Sequence, residues 1–574
     1  MITPEVKELI RKLALHNAVK YNGKANPGAI VGGVIGDFPE LKEHMKTLMA
    51  EINHIVQDVN SIDLEIQKEE LLRLDPTALD KKEKKDELKE LDNVNEKTGV
   101  VMRFAPSPSG PMHIGHAITG GLTSLYVKKY GGKFILRIED TNSDNIDPDA
   151  YHLLPDDGKW IFGNVSEVWI QSDRMKIYYD YAEKFIKLHA VYICTCSSEQ
   201  FKAHADNMTN CPCRALTLEE NQHRWKKMHD KEHGFKEGEA VMRFKSNMQH
   251  NNPAMRDFPL IRINDSPHPR QALKYRVWPL MNFSVCVDDI EGKMTHIIRA
   301  KDHADNAKRQ EMMYQALGLA DKFPETYFLG RYNFEGMELS CSKTKVRINA
   351  GEFAGWDDIR IPFLRALKRR GYQAEAFLRY TRMTGLSPVD KTVSAEEFYK
   401  IINAFNKDLI DKTSKRLFFV HNYETVKIHG ALYDRTVSLR LHPDQDLGRR
   451  ELATTDEFLL QKEDLKEMNE GDIYRLMDCL NFVKEKGQYK FDSQDYESFK
   501  SRGKKIIHWL PAHSSVDVEV VMPDATLIKG KGEETISKLA VGEVTQFERF
   551  GFCRLDSITH SGKDAKYTFW FAHK

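Results

Sequence analysis

Two histidines, His113 and His116, stand three residues apart in RFAPSPSGPMHIGH, residues 103–116. An apolar strand-like run gives way there, through a Pro/Ser/Gly turn, to a helical one. At such a junction the imidazoles, the first backbone N–H groups and the positive end of the helix dipole can all face a polyphosphate. Gly115, between them, permits close approach of the backbone to a ligand. Spacing alone leaves two other readings open, a metal pair and a capping feature. A second cluster is CTCSSEQFKAHADNMTNCPCR, in which Cys194, Cys196, Cys211 and Cys213 form two C-x-C pairs. Four thiolates on two short turns can close a tetrahedral site around zinc, structural in role because every ligand would come from the protein. His204 is the reserve ligand.

The elements that must position these groups are legible in part. GVVMRFA, from Gly99, reads as a buried strand, HAITGGLTSLYVKKY as an apolar helix, and GGKFILRIED as a second strand ending in carboxylates. Strand, turn, helix and strand in succession make a βαβ unit, which implies a parallel sheet with ligands at the carboxyl ends of its strands. A further strand is expected in MTHIIRAKDH, residues 294–303, and helical periodicity dominates from about 352 to 420. Beyond Arg435 the apolar and polar residues alternate (TVSLRLHP, VDVEVVMP, TQFERFGFCRLDSI, AKYTFWFAH), which predicts an all-β, barrel-like C-terminal region. Val6, Ile10, Leu13, Leu41, Met45, Met49 and Ile52 predict a small helical region near the start, broken by the Gly/Pro-rich YNGKANPGAIVGGVIGDFPE. The densely charged residues 61–96 read as a solvated helix or tether.

At 574 residues the chain is too long for one core, so several domains are expected. Lys+Arg and Asp+Glu are both 85, so no global field marks a nucleic-acid partner, and any such partner must bind locally positive faces. No signal-peptide pattern and no apolar run long enough to cross a bilayer is found, so a soluble, cytoplasmic protein with no membrane partner is expected. Eight cysteines, four of them in C-x-C pairs, suit reduced thiols or a metal site better than disulfides.

RFAPSPSG followed by HIGH resembles the signature of class I aminoacyl-tRNA synthetases of the glutamate subgroup. The resemblance implies that His113 and His116 stabilise the α-phosphate of ATP as an amino-acid carboxylate displaces pyrophosphate, with no covalent enzyme intermediate. It implies that Arg103, Ser107 and Glu139 bind the substrate glutamate; an arginine fork suits a carboxylate, and Glu139 suits an ammonium. The segment VWPLMNFSVCVDDIEGKMTHIIRAKDHADN is similar to the second half of the same active site. By that similarity Arg299 is the second arginine facing the amino acid, Asp302 and His303 contact ATP, and Asn282 and Ser284 line the pocket. Met281 stands where many bacterial members carry a tyrosine. ELSCSKTK is the candidate for the family's KMSKS loop; with Cys341 at the signature lysine's position, the cation falls to Lys343 or Lys345, and Lys343 is assigned. ATP contacts are thus expected from His113, Gly115, His116, Asp302, His303 and Lys343. GEFAGWDDIRIPFLRALKRRG resembles the following helical segment, whose Arg365, Lys368, Arg369 and Arg370 form a basic face suited to tRNA phosphates.

The resemblance implies a multidomain chain. A helical N-terminal extension over 1–98 is similar to that of archaeal glutamate enzymes. A Rossmann-type catalytic domain follows over 99–335, with an insertion at about 191–270. The KMSKS-like loop and stem-contact helices occupy 336–430, and a barrel-type anticodon-binding region occupies 431–574. The implied reaction is ATP-dependent activation of glutamate and transfer to the 3′ end of tRNA(Glu), with Mg²⁺ accompanying ATP, a monomeric enzyme, and charging of tRNA(Gln) left open. The rivals are a glutamine–tRNA ligase, whose motif usually reads RFPPEPNGYLHIGH against Ala105, Ser107 and Ser109 here, a catalytically silent tRNA-binding paralogue, and a nucleotidyltransferase acting on a small metabolite.

Overall fold

The computed structural model describes residues 2–75, 78, 88–431, 435–560 and 565–574. The chain divides into two compact units, Met1–Glu87 and Leu88–Lys574. The first contains four α-helices among its described residues, α1 (Pro4–Lys20), α2 (Gly28–Asp37), α3 (Met45–Asn60) and α4 (Leu64–Leu74). Val6, Ile10, Leu48 and Ile52 meet in its core, as their helical spacing requires. The Gly/Pro-rich stretch does not break the helical pattern throughout. Gly28–Asp37 is helical because Ile30 and Val34, one turn apart, are both buried, and a Cβ on Gly33 would stand only 2.9 Å from Leu13 Cδ1. Within the charged stretch, Asp63 caps α4, which buries Gln67 and Leu71; residues 76, 77 and 79–87 of that stretch lie outside the described residues.

The second unit begins before the expected boundary at 99. Leu91 joins the core of this unit, and its N–H donates to Tyr130 Oη at 3.0 Å. The βαβ unit follows as expected: β1 (Val100–Phe104), α5 (Ile114–Tyr130) and β2 (Gly132–Ile138), the strands parallel with Val100 opposite Gly132. After α6 (Ala150–Phe162), β3 (Glu167–Ile170) extends the sheet in the order β1-β2-β3. From α7 (Met175–Lys187) the chain enters an antiparallel insertion containing β4 (Val191–Cys194), α8 (Ser198–Asp206), α9 (Leu218–His229), β5 (Val241–Phe244), β6 (Pro259–Ile263) and β7 (Val277–Pro279). It returns through α10 (Met281–Glu291), β8 (His296–Ala300), α11 (Ala304–Ala316) and β9 (Glu325–Leu329), with β8 and β9 parallel. Thr295 N–H donates to Val101 O at 3.0 Å, so β8 starts beside β1. The strand succession is therefore 3-2-1-8-9, and the order reverses between β1 and β8. In doubly wound sheets, ligands bind at that reversal, outside the strands' carboxyl ends.

Next come β10 (Tyr332–Glu335), α12 (Cys341–Asn349), α13 (Leu364–Arg370), α14 (Ala374–Thr384), β11 (Lys391–Ser394) and α15 (Ala395–Ile410). Helix α14 lies on α5, where Thr381 Oγ1 donates to Ala117 O at 3.1 Å. The β region starts at Lys415, ahead of the expected 431, and contains two seven-stranded sheets. In one, the end strands Lys415–Leu417 and Phe419–His421 are separated by a single residue, so the sheet curls back on itself into a nearly closed barrel. The alternating segments recognised in the sequence are strands here, at Arg435–Arg440, Val516–Val521, Val544–Phe547, Gly551–Thr559 and Lys566–His573.

Candidate active site

At the reversal between β1 and β8 lies a cavity of about 440 Å³ lined by Arg103, Ser107, His116, Glu139, Arg299 and His303, with Met281, Val285 and Gln310 among its other walls. This is within the range of ligand-binding pockets. The two arginines expected to face an amino acid occur at matching places, one near the carboxyl end of β1 and the other near that of β8. Both are only 7% exposed.

Their geometry depends on an acid that the sequence did not single out. Asp289, buried on α10, receives Arg103 Nε at 3.3 Å and Nη2 at 3.4 Å, Arg137 Nη1 at 2.6 Å, and has Arg299 Nη2 at 3.9 Å. Burial disfavours the Asp289 carboxylate, yet Arg103, Arg137 and Arg299 together hold its pKa below the usual range. Arg137 also reaches Glu139 at 3.1 Å, fixing that carboxylate at the cavity wall. Burial and the neighbouring Arg103 push Arg299 down to about 9, with Asp289 opposing, so its guanidinium stays charged at neutral pH. Arg299 Nη1 donates to Gln310 Oε1 at 3.0 Å, while its buried Nε has no hydrogen-bond partner among the described residues. Three arginines against Asp289 and Glu139 leave one positive charge over, since Asp288 is matched by Arg174 at 2.7 Å. An amino acid with a side-chain carboxylate carries the complementary net charge of minus one.

The histidine pair lies where the strand-to-helix turn places it. His113 caps α5, its Nδ1 accepting from Gly115 N–H at 3.1 Å, and His113 N–H donates to His116 Nδ1 at 3.3 Å. The rings stack with centroids 3.8 Å apart. Burial lowers both pKa values, His116 to about 4 and His113 well below its ordinary value with a further push from His116. Both imidazoles are therefore neutral near pH 7. Because each Nδ1 accepts, each Nε2 carries the proton and is left as a donor. Gly115 makes room for its neighbour more than for a ligand: a Cβ there would lie 3.0 Å from the His113 ring.

Other expected residues divide. His303 lines the cavity, its pKa lowered first by burial and then by Arg299. Asp302 instead turns outward to Arg331 at 2.8 Å. Asn282 does not line the cavity; its Oδ1 stands 3.5 Å from Gln310 Nε2, behind Arg299. Ser284 is buried and donates to Leu280 O at 3.4 Å, on its own helix. Cys341 is buried with its thiol 3.7 Å from Pro111 O, so it anchors the candidate KMSKS segment to the histidine turn. Lys343 is exposed and 3.4 Å from Glu338, whereas Lys345 reaches the buried Asp147 at 3.2 Å. The expected basic face on α13 is largely consumed by packing. Arg369 forms a two-pronged pair with Asp556 at 2.7 and 2.8 Å, and the buried Arg370 donates to Phe571 O and Ala572 O, which docks α13 on the β region.

In the insertion, the four thiols of Cys194, Cys196, Cys211 and Cys213 all lie within 4.8 Å of one another. Sγ separations of 3.6 Å for Cys194–Cys211, 3.2 Å for Cys196–Cys211 and 4.0 Å for Cys196–Cys213 bracket the roughly 3.8 Å that tetrahedral ligation at about 2.3 Å requires. Burial opposes a Cys213 thiolate, but the Thr195 N–H and hydroxyl and the Arg224 guanidinium overcome this and bring it down to about 6. The donor set fits zinc. His204 is half-buried, its Nδ1 3.2 Å from Thr209 Oγ1, and is not part of the cluster.

A parallel sheet carrying a histidine pair at its reversal, beside an arginine-lined cavity, is the architecture of a class I aminoacyl-tRNA synthetase core. Comparison with known proteins agrees. The family described as "tRNA synthetases class I (E and Q), catalytic domain" matches residues 99–412, and its two anticodon-binding domain models match 414–499 and 506–556. A glutamate–tRNA ligase of Methanocaldococcus jannaschii is 42% identical over 562 residues, 97% of this chain and 99% of the relative. One from Methanothermobacter thermautotrophicus is 40% identical over 571 residues, 99% of this chain and 100% of the relative. The chain belongs to the class I tRNA synthetase family of the glutamate and glutamine type, and is an aminoacyl-tRNA synthetase.

Proposed function

We propose that the chain is a glutamate–tRNA ligase, which activates glutamate with ATP and transfers it to the 3′-terminal ribose of tRNA(Glu). The observation that carries the reading is the single cavity shared by Arg103, Arg299, Glu139 and His116. Arg299 and Arg103 receive the side-chain carboxylate, Glu139 receives the ammonium, and Ser107 lies on the same wall. The α-carboxylate attacks the α-phosphorus of ATP, a P–O bond forms, and the bond to pyrophosphate breaks. His113 and His116 donate from Nε2 to the phosphate oxygens where charge accumulates, and being neutral they need take no proton from the reaction. Lys343 or Lys345 neutralises the leaving pyrophosphate, and Mg²⁺ accompanies ATP. In the second step the terminal ribose hydroxyl attacks the carbonyl carbon and AMP leaves.

Glutamine is disfavoured because a neutral amide leaves a buried guanidinium without its counter-charge. The four cysteines hold a structural zinc that fastens the two turns of the insertion; no step of the reaction passes through it. Among the described residues no helix is long and apolar enough to cross a membrane, and the working chain is proposed to be a cytoplasmic monomer.

Aminoacylation measured with both amino acids and both tRNAs tests the proposal. Glutamate charging of tRNA(Glu) supports it, whereas charging with glutamine alone assigns the chain to the sister activity. Pyrophosphate exchange with tRNA present that does not exceed a His113→Ala control assigns it to the silent class.

A further inference from the structure

The turn that carries the histidines is held from behind. Met112, the residue before His113, is fully buried, and both halves of its backbone are engaged. Its C=O accepts from Leu364 N–H at 3.0 Å, which ties it to the start of α13. Its N–H donates to Asp157 Oδ2 at 2.9 Å. Asp157 sits in the middle of α6 and is 4% exposed, and its other oxygen lies 3.0 Å from Arg365 Nε. Arg365 also reaches Asp156 at 3.2 Å. Asp157 and Arg365 line a groove of about 800 Å³ outside the catalytic cavity, together with Lys159, Trp160, Lys368 and Arg369. Neither the histidine signature nor the family comparison assigns a role to Asp157.

We propose that Asp157 is a positioning residue for activation: one carboxylate oxygen locks the Met112–His113 turn while the other holds Arg365 of α13. The inference rests on the ligase reading, since it concerns the turn that presents the two imidazoles to ATP. One oxygen accepts the Met112 N–H, while the other faces the Arg365 guanidinium as an ion pair without hydrogen-bond alignment. A protonated carboxyl gives up the ion pair, Arg365 is released toward the groove, and the clamp on Met112 loses its charge-assisted character. The charged groups that face Asp157 are Arg365, Asp156 and Lys368. Burial raises the Asp157 pKa to about 7, against the pull of Arg365 and of the Met112 N–H. The anionic clamp is therefore present above about pH 7 and lost as pH falls through it. His116, at about 4, and His113, also depressed, do not titrate in that window.

Two measurements on the full chain test this. In pyrophosphate exchange with glutamate and tRNA, the wild-type rate is expected to fall about tenfold from pH 8 to pH 6, the change in ionised fraction for a group near 7. Asp157→Asn is expected to be flat over that range, lying below the wild type even at pH 6 and at least about tenfold below it at pH 8. Arg365→Gln is expected to move the wild-type fall to higher pH, because the cation that favours the carboxylate is gone. A folding defect alone would lower the rate at all pH values without altering the profile. Amide hydrogen exchange of the 107–118 segment, read by mass spectrometry at pH 8, needs no activity: Asp157→Ala is expected to speed it about tenfold. Unchanged exchange in Asp157→Ala, or an Asp157→Asn profile that keeps the wild-type fall, overturns the inference. A wild type that fails to activate glutamate while Asp157→Ala still accelerates exchange counts against the ligase reading and leaves the clamp standing.

Discussion

Arg299→Gln separates amino-acid recognition from everything else in the cavity. The substitution removes a 7%-exposed guanidinium whose Nε has no hydrogen-bond partner among the described residues and whose Nη1 bonds Gln310. The rest of the cluster keeps its partners, because Asp289 is still held by Arg103 at 3.3 Å and Arg137 at 2.6 Å. The fold is therefore expected to survive. A charge-assisted hydrogen bond to a substrate carboxylate contributes about 1.5–3 kcal/mol. At about 1.36 kcal/mol per decade this predicts a loss of roughly 10- to 150-fold in kcat/KM for glutamate. The loss for glutamine is smaller, since its amide has no charge to leave uncompensated. The glutamate-to-glutamine ratio thus narrows while the KM for ATP stays within about twofold. Pyrophosphate exchange with each amino acid in turn reads all three quantities. A kcat/KM for glutamate within threefold of the wild type, or equal losses for both amino acids, would refute the assignment of Arg299.

Arg103→Ala should raise the glutamate KM or abolish turnover, and unaltered kinetics would remove that arginine from the site. Metal analysis of the purified chain should find about one zinc per chain, and Cys211→Ser should lose it and lower the Tm; a metal-free chain of unchanged stability would dismiss the cluster as a zinc site. Burial holds His508 at about 4, so below its ordinary value near 6.5 the unfolded chain takes up the proton that the folded chain refuses. Stability should therefore fall by about 3 kcal/mol for this group as pH drops from 6.5 to 4, and His508→Gln should flatten that part of a denaturation series. Arg369→Ala, which removes the paired contacts to Asp556 and the stacking on Trp570, should destabilise the junction of α13 with the β region by about 1 kcal/mol, read from the urea midpoint.

The parts of the fold that were legible in the sequence are those written by local pattern. The apolar run at Val100–Phe104, the glycines after Tyr130 and the alternation in Lys566–His573 each fix an element without help from elsewhere. The histidine turn was legible for the same reason, since its chemistry sits within four residues. What local pattern cannot carry is pairing across the chain. Asp289 reads in VDDIEG as one more helix acid, and becomes the hub of three arginines only because α10 brings it beneath β1, β2 and β8. Arg369 and Arg370 read as a basic face suited to tRNA phosphates because their partners, Asp556 on the strand Gly551–Thr559 and the carbonyls of Phe571 and Ala572 on Lys566–His573, lie about 200 residues on. Asp157 was missed likewise: its partner Met112 is 45 residues away.

A structure of the full chain with a non-hydrolysable glutamyl-adenylate analogue measures the central claim most directly. The account predicts the analogue's side-chain carboxylate against Arg103 and Arg299, its ammonium near Glu139, and its phosphate group within hydrogen-bonding distance of Nε2 of His113 and His116. An analogue whose carboxylate lies away from both arginines, or whose phosphate lies away from both imidazoles, would contradict it.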